Sequence, residues 1–194
     1  MLLGDMQDWK PNVASIIEYA ADIYPESEVV SKLVSGEVHR TNYREVCVRS
    51  RKLASKLSQD GFKQGDVIAT LALNTFRHLE AYYGVSGMCA VVHTLNFRLH
   101  PEQAVYIINH AEDKIIFVEL PFVPILEGLK DKLTTVEKYI VLCEESEMPE
   151  TSLKNAMSYE EYIKDGDEDY NWPVLADDAA CALCYTSGTT GNPK

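Results

Sequence analysis

From Gly65 onward the sequence alternates two kinds of segment, and that alternation limits the fold more than any single residue does. Val67 to Leu73, Cys89 to Leu95, Lys114 to Val118 and Tyr139 to Cys143 are apolar runs of strand length. Between them lie segments with helical spacing. Thr75 can cap one that runs through Leu79, Tyr82, Tyr83 and Val85; Pro101 suits the first turn of one containing Ala104, Val105, Ile107 and Ile108; Pro121 or Pro124 opens a third, shorter one. A strand that is apolar at every position must be covered on both faces, and consecutive strands joined by helices run parallel. The right-handed crossover rule then distributes the helices. The expectation is an α/β fold: a mainly parallel sheet with helices on both faces.

Before Gly65 the reading is of a helix over Asn12 to Tyr24, with Val13, Ile16, Ile17 and Ala20 on one stripe. A hairpin follows around Ser35-Gly36. Thr41 then serves as N-cap of a helix carrying Tyr43, Val46, Leu53 and Leu57, which stops at Asp60-Gly61. After the fourth strand, Glu144 to Trp172 reads as a solvated acidic stretch with a helical turn at Tyr159 to Ile163. Asp165, Asp167 and Asp169 invite a calcium-loop reading, but Tyr170 and Ala176 fall where glycine and glutamate are required. Ala179 to Tyr185 is one more apolar run, expected to be a buried strand.

Composition excludes whole function classes. With 46% hydrophobic residues the chain can build a core. A net charge of -12 disfavours non-specific binding to nucleic acid or to an anionic membrane surface. No run approaches the roughly 18 apolar residues of a spanning helix, and residues 1–10 match neither a signal nor a transit peptide. Cys47, Cys89, Cys143, Cys181 and Cys184 are an odd number and read as reduced thiols in a cytoplasmic setting, which leaves open organelle targeting by a C-terminus not in this chain.

The last run leads directly into Thr186, Ser187, Gly188, Thr189, Thr190, Gly191, Asn192, Pro193 and Lys194. A strand that ends in glycines and hydroxyls suits an oxyanion. Gly188 and Gly191 permit positive φ and close backbone approach, so that successive N–H groups converge on one anion. Thr186, Ser187, Thr189 and Thr190 add hydroxyls, Lys194 adds a cation, and no acid interrupts Tyr185 to Lys194. Phosphate is the natural ligand. The spacing is not that of a Walker A loop, which needs four residues between its glycines and Lys directly after the second.

This segment, Tyr185 to Lys194, resembles the phosphate-loop signature of the adenylate-forming superfamily. Gly65 to Ala69, His78 to Tyr83, His93 to His100 and Ile108 to Asp113 narrow the resemblance to medium- and long-chain fatty-acyl-CoA synthetases, over nearly the whole chain from about Trp9. Cys89 and Phe97 depart from it, standing where glycine and proline are usual. The resemblance implies ATP-dependent activation of a carboxylic acid to acyl-adenylate and then acyl-CoA, releasing pyrophosphate and AMP. It implies ATP and Mg²⁺ as cofactors and CoA as substrate, and nucleotide binding by Thr186, Ser187, Gly188, Thr189, Thr190, Gly191 and Lys194, with Thr186 also touching Mg²⁺. It puts the adenine pocket, acyl tunnel and catalytic lysine downstream. On this reading residues 1–194 are an incomplete N-terminal portion of the synthetase's large domain, cut at the phosphate-binding loop and inactive alone, with no catalytic residue inside it and with homodimerisation open.

Two other functions stay open: an adenylating ligase for aryl or short-chain acids, and a non-catalytic α/β module that binds phosphate or protein. Cys181-x-x-Cys184 reads as buried packing, because residues three apart on a strand face opposite ways. His93 and Arg98 read as turn-stabilising, since nothing in the sequence pairs His93 with an acid. His110 reads as a charge at a helix C-terminus, and Tyr82-Tyr83 as core.

Overall fold

A computed structural model describes residues 4, 5, 10, 12–174, 176 and 178–186. The first helix, α1 (Val13–Ile23), is capped by Asn12, whose side chain accepts the Ala14 N–H at 3.0 Å. A two-stranded antiparallel hairpin follows, β1 (Glu28–Lys32) and β2 (Val38–Asn42), turning at Gly36 with φ +89°. The long helix α2 (Tyr43–Gln59) starts one residue later than expected. Asn42, not Thr41, accepts the Glu45 N–H, at 2.9 Å. The stripe on α1 also shifts: Ala14 and Ile17 are buried, whereas Ile16 faces out.

Beyond Gly65 the alternating order is realised as β3 (Val67–Leu71), α3 (Phe76–Gly87), β4 (Val91–Thr94), α4 (Pro101–His110), β5 (Ile115–Val118), α5 (Val123–Leu129) and β6 (Lys138–Val141). All four strands lie in one sheet and every pairing is parallel. Two more strands extend it, β7 (Ala156–Ser158) beside β6 and β8 (Ala182–Leu183) beside β4, giving the order β7-β6-β5-β3-β4-β8. The short helix α6 (Tyr159–Ile163) follows β7, and Ser158 accepts the Glu161 N–H at its start.

The side-chain period of two sorts each strand between two cores. Ile68, Ile115, Phe117 and Ile140 meet Leu53, Leu57, Val85 and Tyr159 from α2, α3 and α6. Ala69, Ile116, Val118, Tyr139 and Val141 meet Ile108, Leu126 and Leu129 from α4 and α5. The helices therefore cover both faces, and the uninterrupted apolar strands are the cause.

Close approach is arranged at particular positions. A Cβ on Gly84 would lie 2.8 Å from Leu53 Cδ2 and 3.0 Å from the Ser50 carbonyl, so this glycine lets α3 press onto α2. At the amino ends of β3 and β4, the Gly65 N–H donates to the Cys89 carbonyl at 3.0 Å and the Val91 N–H to the Asp66 carbonyl at 2.9 Å. Cys89 takes φ +80° in this lock, a conformation suited to glycine. The departure from family usage noted at this position is thus a strained one.

An ionic cluster, buried at Arg77 and Glu80 and half-buried at Arg49 and Glu160, joins the helices of one face. Arg49 donates to Glu80 at 2.8 Å and grips both oxygens of Glu160 at 2.9 and 3.0 Å; Arg77 donates to Glu160 at 2.7 Å and also reaches Glu144. Burial pushes the Glu80 carboxyl up to about 7, against the pull of Arg49. Burial would raise Glu160 too, but the hydrogen bonds from Arg49 and Arg77 outweigh it and hold this carboxyl below its ordinary value of 4.5.

Two outcomes follow. Cys89→Gly should be more stable than Cys89→Ala by about 1–2 kcal/mol in thermal or urea unfolding, because both lose the sulfur and only glycine relieves the positive φ. Equal stabilities would deny the strain. For Glu160, the unfolded state binds the proton more readily, so the stabilisation is full above about pH 4.5 and drains away as pH falls through the lower folded value. Glu160→Gln should cost roughly 1.5–3 kcal/mol at neutral pH and flatten the acid limb of the melting-temperature profile; an unchanged limb would show that the cluster does not set it.

Candidate nucleotide site at the carboxyl rim of the sheet

Because all six strands of the sheet are parallel, their carboxyl ends share one rim. From β3 the chain crosses outward to β4 and then back over β3 to β5. This reversal makes the rim there a topological switch point, the usual ligand crevice of open α/β sheets. On it lie the segment after β3 that leads through Asn74 to Thr75, the turn after β4 at Asn96 to Leu99, and the exit of β8. The β4 turn is ordered locally: Asn96 Oδ1 accepts the Arg98 N–H at 3.0 Å, and the Phe97 ring stacks on Phe122 with centroids 5.2 Å apart. Pro101 then opens α4, where Gln103 accepts the His100 N–H at 3.3 Å.

β8 is shorter and more exposed than the buried strand expected over Ala179 to Tyr185. Only Ala182 and Leu183 join the ladder, opposite Val92 and His93. It is an edge strand among the described residues, so one side of its backbone has no neighbour to pair with. Cys181 is correspondingly half-buried and Cys184 exposed, which corrects the buried-packing reading of both. Cys184 Sγ lies 3.4 Å from Thr94 Oγ1. The Cys181 carbonyl accepts the Val92 N–H at 3.1 Å and the Ser86 hydroxyl at 2.9 Å, tying the strand to β4 and α3.

Of the residues singled out for phosphate binding, Thr186 is exposed at the rim just beyond β8. Ser187, Gly188, Thr189, Thr190, Gly191 and Lys194 lie outside the described residues. Behind Thr186 is a cavity of about 100 Å³, lined by His93, Thr94, Asn96, Gln103, Tyr185 and Thr186 among others.

The sequence reading missed the partner of His93. Asp113, just before β5, is fully buried, and its two oxygens accept from His93 Nδ1 at 2.9 and 3.0 Å. His93 is therefore paired with an acid and is not a turn residue. Burial pushes the Asp113 carboxyl up, and the hydrogen bond from His93 works against that. A charged residue placed directly ahead of an apolar strand was the available signal; what hid the pair was the separation of its members by 20 positions in sequence. His110 ends α4 as expected, and its Nδ1 also lies 2.5 Å from the Tyr185 hydroxyl. Tyr82 and Tyr83 are half-buried, edge to face at 6.2 Å, each at the margin of an apolar cluster.

Residues 17–194 match the model of the AMP-binding enzyme family. This chain belongs to that family. It is 42% identical over 193 residues to a 3-methylmercaptopropionyl-CoA ligase of Ruegeria pomeroyi, a match covering 100% of this chain and 36% of the relative. It is likewise 42% identical to a medium-chain-fatty-acid–CoA ligase of Ectopseudomonas oleovorans, over 100% of this chain and 35% of that one. The crystal structure of an anthranilate CoA ligase in complex with anthranoyl-AMP superposes with a TM-score of 0.84 at 20% identity, over 96% of this chain and 34% of that one; at this identity the likeness concerns the fold. The chain thus spans about a third of the length of these relatives.

Proposed function

We infer that this chain is the N-terminal third of an ATP-dependent acid–CoA ligase of the fatty-acyl class and supplies its triphosphate-binding loop. The observation that carries this reading is the delivery of Thr186, the first residue of a Ser/Thr/Gly/Lys run, to the carboxyl rim of a parallel sheet in a member of the AMP-binding family. The names of the ligases to which it is 42% identical support the acid–CoA chemistry.

In the proposed reaction a carboxylate oxygen attacks the α-phosphorus of Mg·ATP, and the bond to pyrophosphate breaks. The sulfur of CoA then attacks the acyl carbon; AMP leaves and the thiol proton passes to solvent. Carboxylate and thiol are the nucleophiles, so no protein nucleophile is required. Thr186 to Lys194 orient the β- and γ-phosphates and offset their charge as they depart. The Thr186 hydroxyl suits Mg²⁺, a hard cation that keeps few protein ligands when phosphates hold it. Exposed at the rim, it fits a metal that arrives with the nucleotide. No described helix is long and apolar enough to cross a membrane; a cytoplasmic enzyme working on ATP, a carboxylic acid and CoA, with a homodimer admissible, is the consistent setting.

The loop assignment has a kinetic signature. In the full-length ligase, Thr189→Ala should slow ATP–pyrophosphate exchange about ten- to hundredfold, the equivalent of one charge-assisted hydrogen bond of about 1.5–3 kcal/mol. Gly188→Val should do more harm, since a branched side chain resists positive φ and occupies the phosphate's place. Lys194→Ala should lower the rate of adenylation more than ground-state ATP affinity. Thioester formation from supplied acyl-adenylate should change little in all three. Exchange within about twofold of wild type in every variant would remove the phosphate site from this loop. The 194-residue chain alone should form no acyl-CoA from octanoate, ATP and CoA; measurable turnover would refute the division of labour proposed.

A further inference from the structure

Beneath the exit of β8 lies a polar cluster that the proposed reaction does not use. His93 and Asp113 are both 0% exposed and bonded to each other, an arrangement that an apolar core would not need. The bond to a carboxylate puts the proton on His93 Nδ1. The other ring nitrogen, Nε2, is buried with no hydrogen-bond partner among the described residues, and the ring lines the cavity behind Thr186. An unpartnered buried nitrogen calls for an explanation, and this one belongs to a ring at a cavity wall.

The Tyr185 ring lies 5.3 Å from that of His93, and its hydroxyl is 2.5 Å from His110 Nδ1. His110 is itself stacked on Tyr106 of α4, 5.3 Å away. Leu183 pairs with His93 in the ladder, so the alternation along an extended strand puts Tyr185 on the His93 face of the sheet. Thus Tyr185 is held at its ring and at its hydroxyl, from two different elements, one residue before Thr186. β8 contributes only a two-residue ladder, so these side-chain anchors add to the Cys181 bonds in fixing the place where the loop begins.

We propose that Asp113, His93 and His110 are positioning residues for the phosphate loop: Asp113 fixes the His93 ring, His93 and His110 fix Tyr185, and Tyr185 fixes the start of the loop. This rests on the reading of residues 186–194 as the phosphate site. A rigid base for the loop matters most at the step in which pyrophosphate leaves, where small displacements of aligned donors are costly.

The test uses the full-length ligase and the variants Tyr185→Phe, His93→Asn and Asp113→Asn, with Thr189→Ala as loop control. ATP–pyrophosphate exchange, thioester formation from supplied acyl-adenylate, and melting temperature are measured on each. Tyr185→Phe removes one partly exposed oxygen, and His93→Asn keeps a donor for Asp113 while removing the ring. Each should slow exchange about tenfold, chiefly in kcat, and leave thioester formation within about twofold. If His93→Asn fails to fold, Tyr185→Phe decides alone. Exchange at the wild-type rate in Tyr185→Phe and His93→Asn, with Thr189→Ala slow, overturns the positioning role and leaves the loop assignment standing. Both half-reactions falling together with the melting temperature shows a structural role only and also overturns it. A wild type without exchange, or one indifferent to Thr189→Ala, overturns the loop assignment and this proposal with it.

Discussion

Burial of parallel strands on both faces is the constraint from which the rest of this structure follows. Ile115, Ile116, Phe117 and Val118 are all fully buried, two toward α2, α3 and α6 and two toward α4 and α5. Such a strand cannot reach a parallel neighbour through a tight hairpin, and the β3–β4, β4–β5 and β5–β6 connections each carry a covering helix back across the sheet. Every strand then ends at the same rim, and residues far apart in sequence meet there. Thr94, Asn96 and Thr186 share one cavity for this reason, although some ninety residues separate Thr94 from Cys184.

Much of the fold was legible because its signals are local. Apolar runs without alternation marked β3 to β6, Pro101 marked the first turn of α4, and Asp60-Gly61 marked the end of α2. What escaped depends on partners. Ala156–Ser158 has no apolar run to announce it and becomes a strand by pairing with β6. Ala179 to Tyr185 looks like a buried strand, yet burial needs neighbours on both sides, and β8 has β4 on one side only among the described residues. The choice of Asn42 over Thr41 as cap turns on one residue of register, which propensity does not resolve.

The candidate site divides in the same way. The hydroxyl and glycine chemistry of Thr186 to Lys194 is written in consecutive residues and can be read directly. The support behind it is not, because His93, His110, Asp113 and Tyr185 come from three strands or their flanks and one helix. Two polar clusters also have to be told apart. Arg49, Arg77, Glu80 and Glu160 bond to one another across three helices and leave only Glu80 Oε2 buried without a partner among the described residues, whereas the unpartnered His93 Nε2 belongs to a ring that lines the cavity behind Thr186. The first is an anchor of the fold, and the second is poised toward the rim.

The central claim is that this sheet serves a ligase in which a carboxylate oxygen attacks the α-phosphorus of ATP. The most direct measurement follows that oxygen. The full-length ligase is supplied with CoA, ATP and a fatty acid whose carboxylate carries heavy oxygen, and the nucleotide product is analysed by mass. If the account is right, the nucleotide is AMP and each molecule carries one heavy oxygen, left on its phosphate when CoA displaces it. ADP as the product, or AMP without the label, would contradict it.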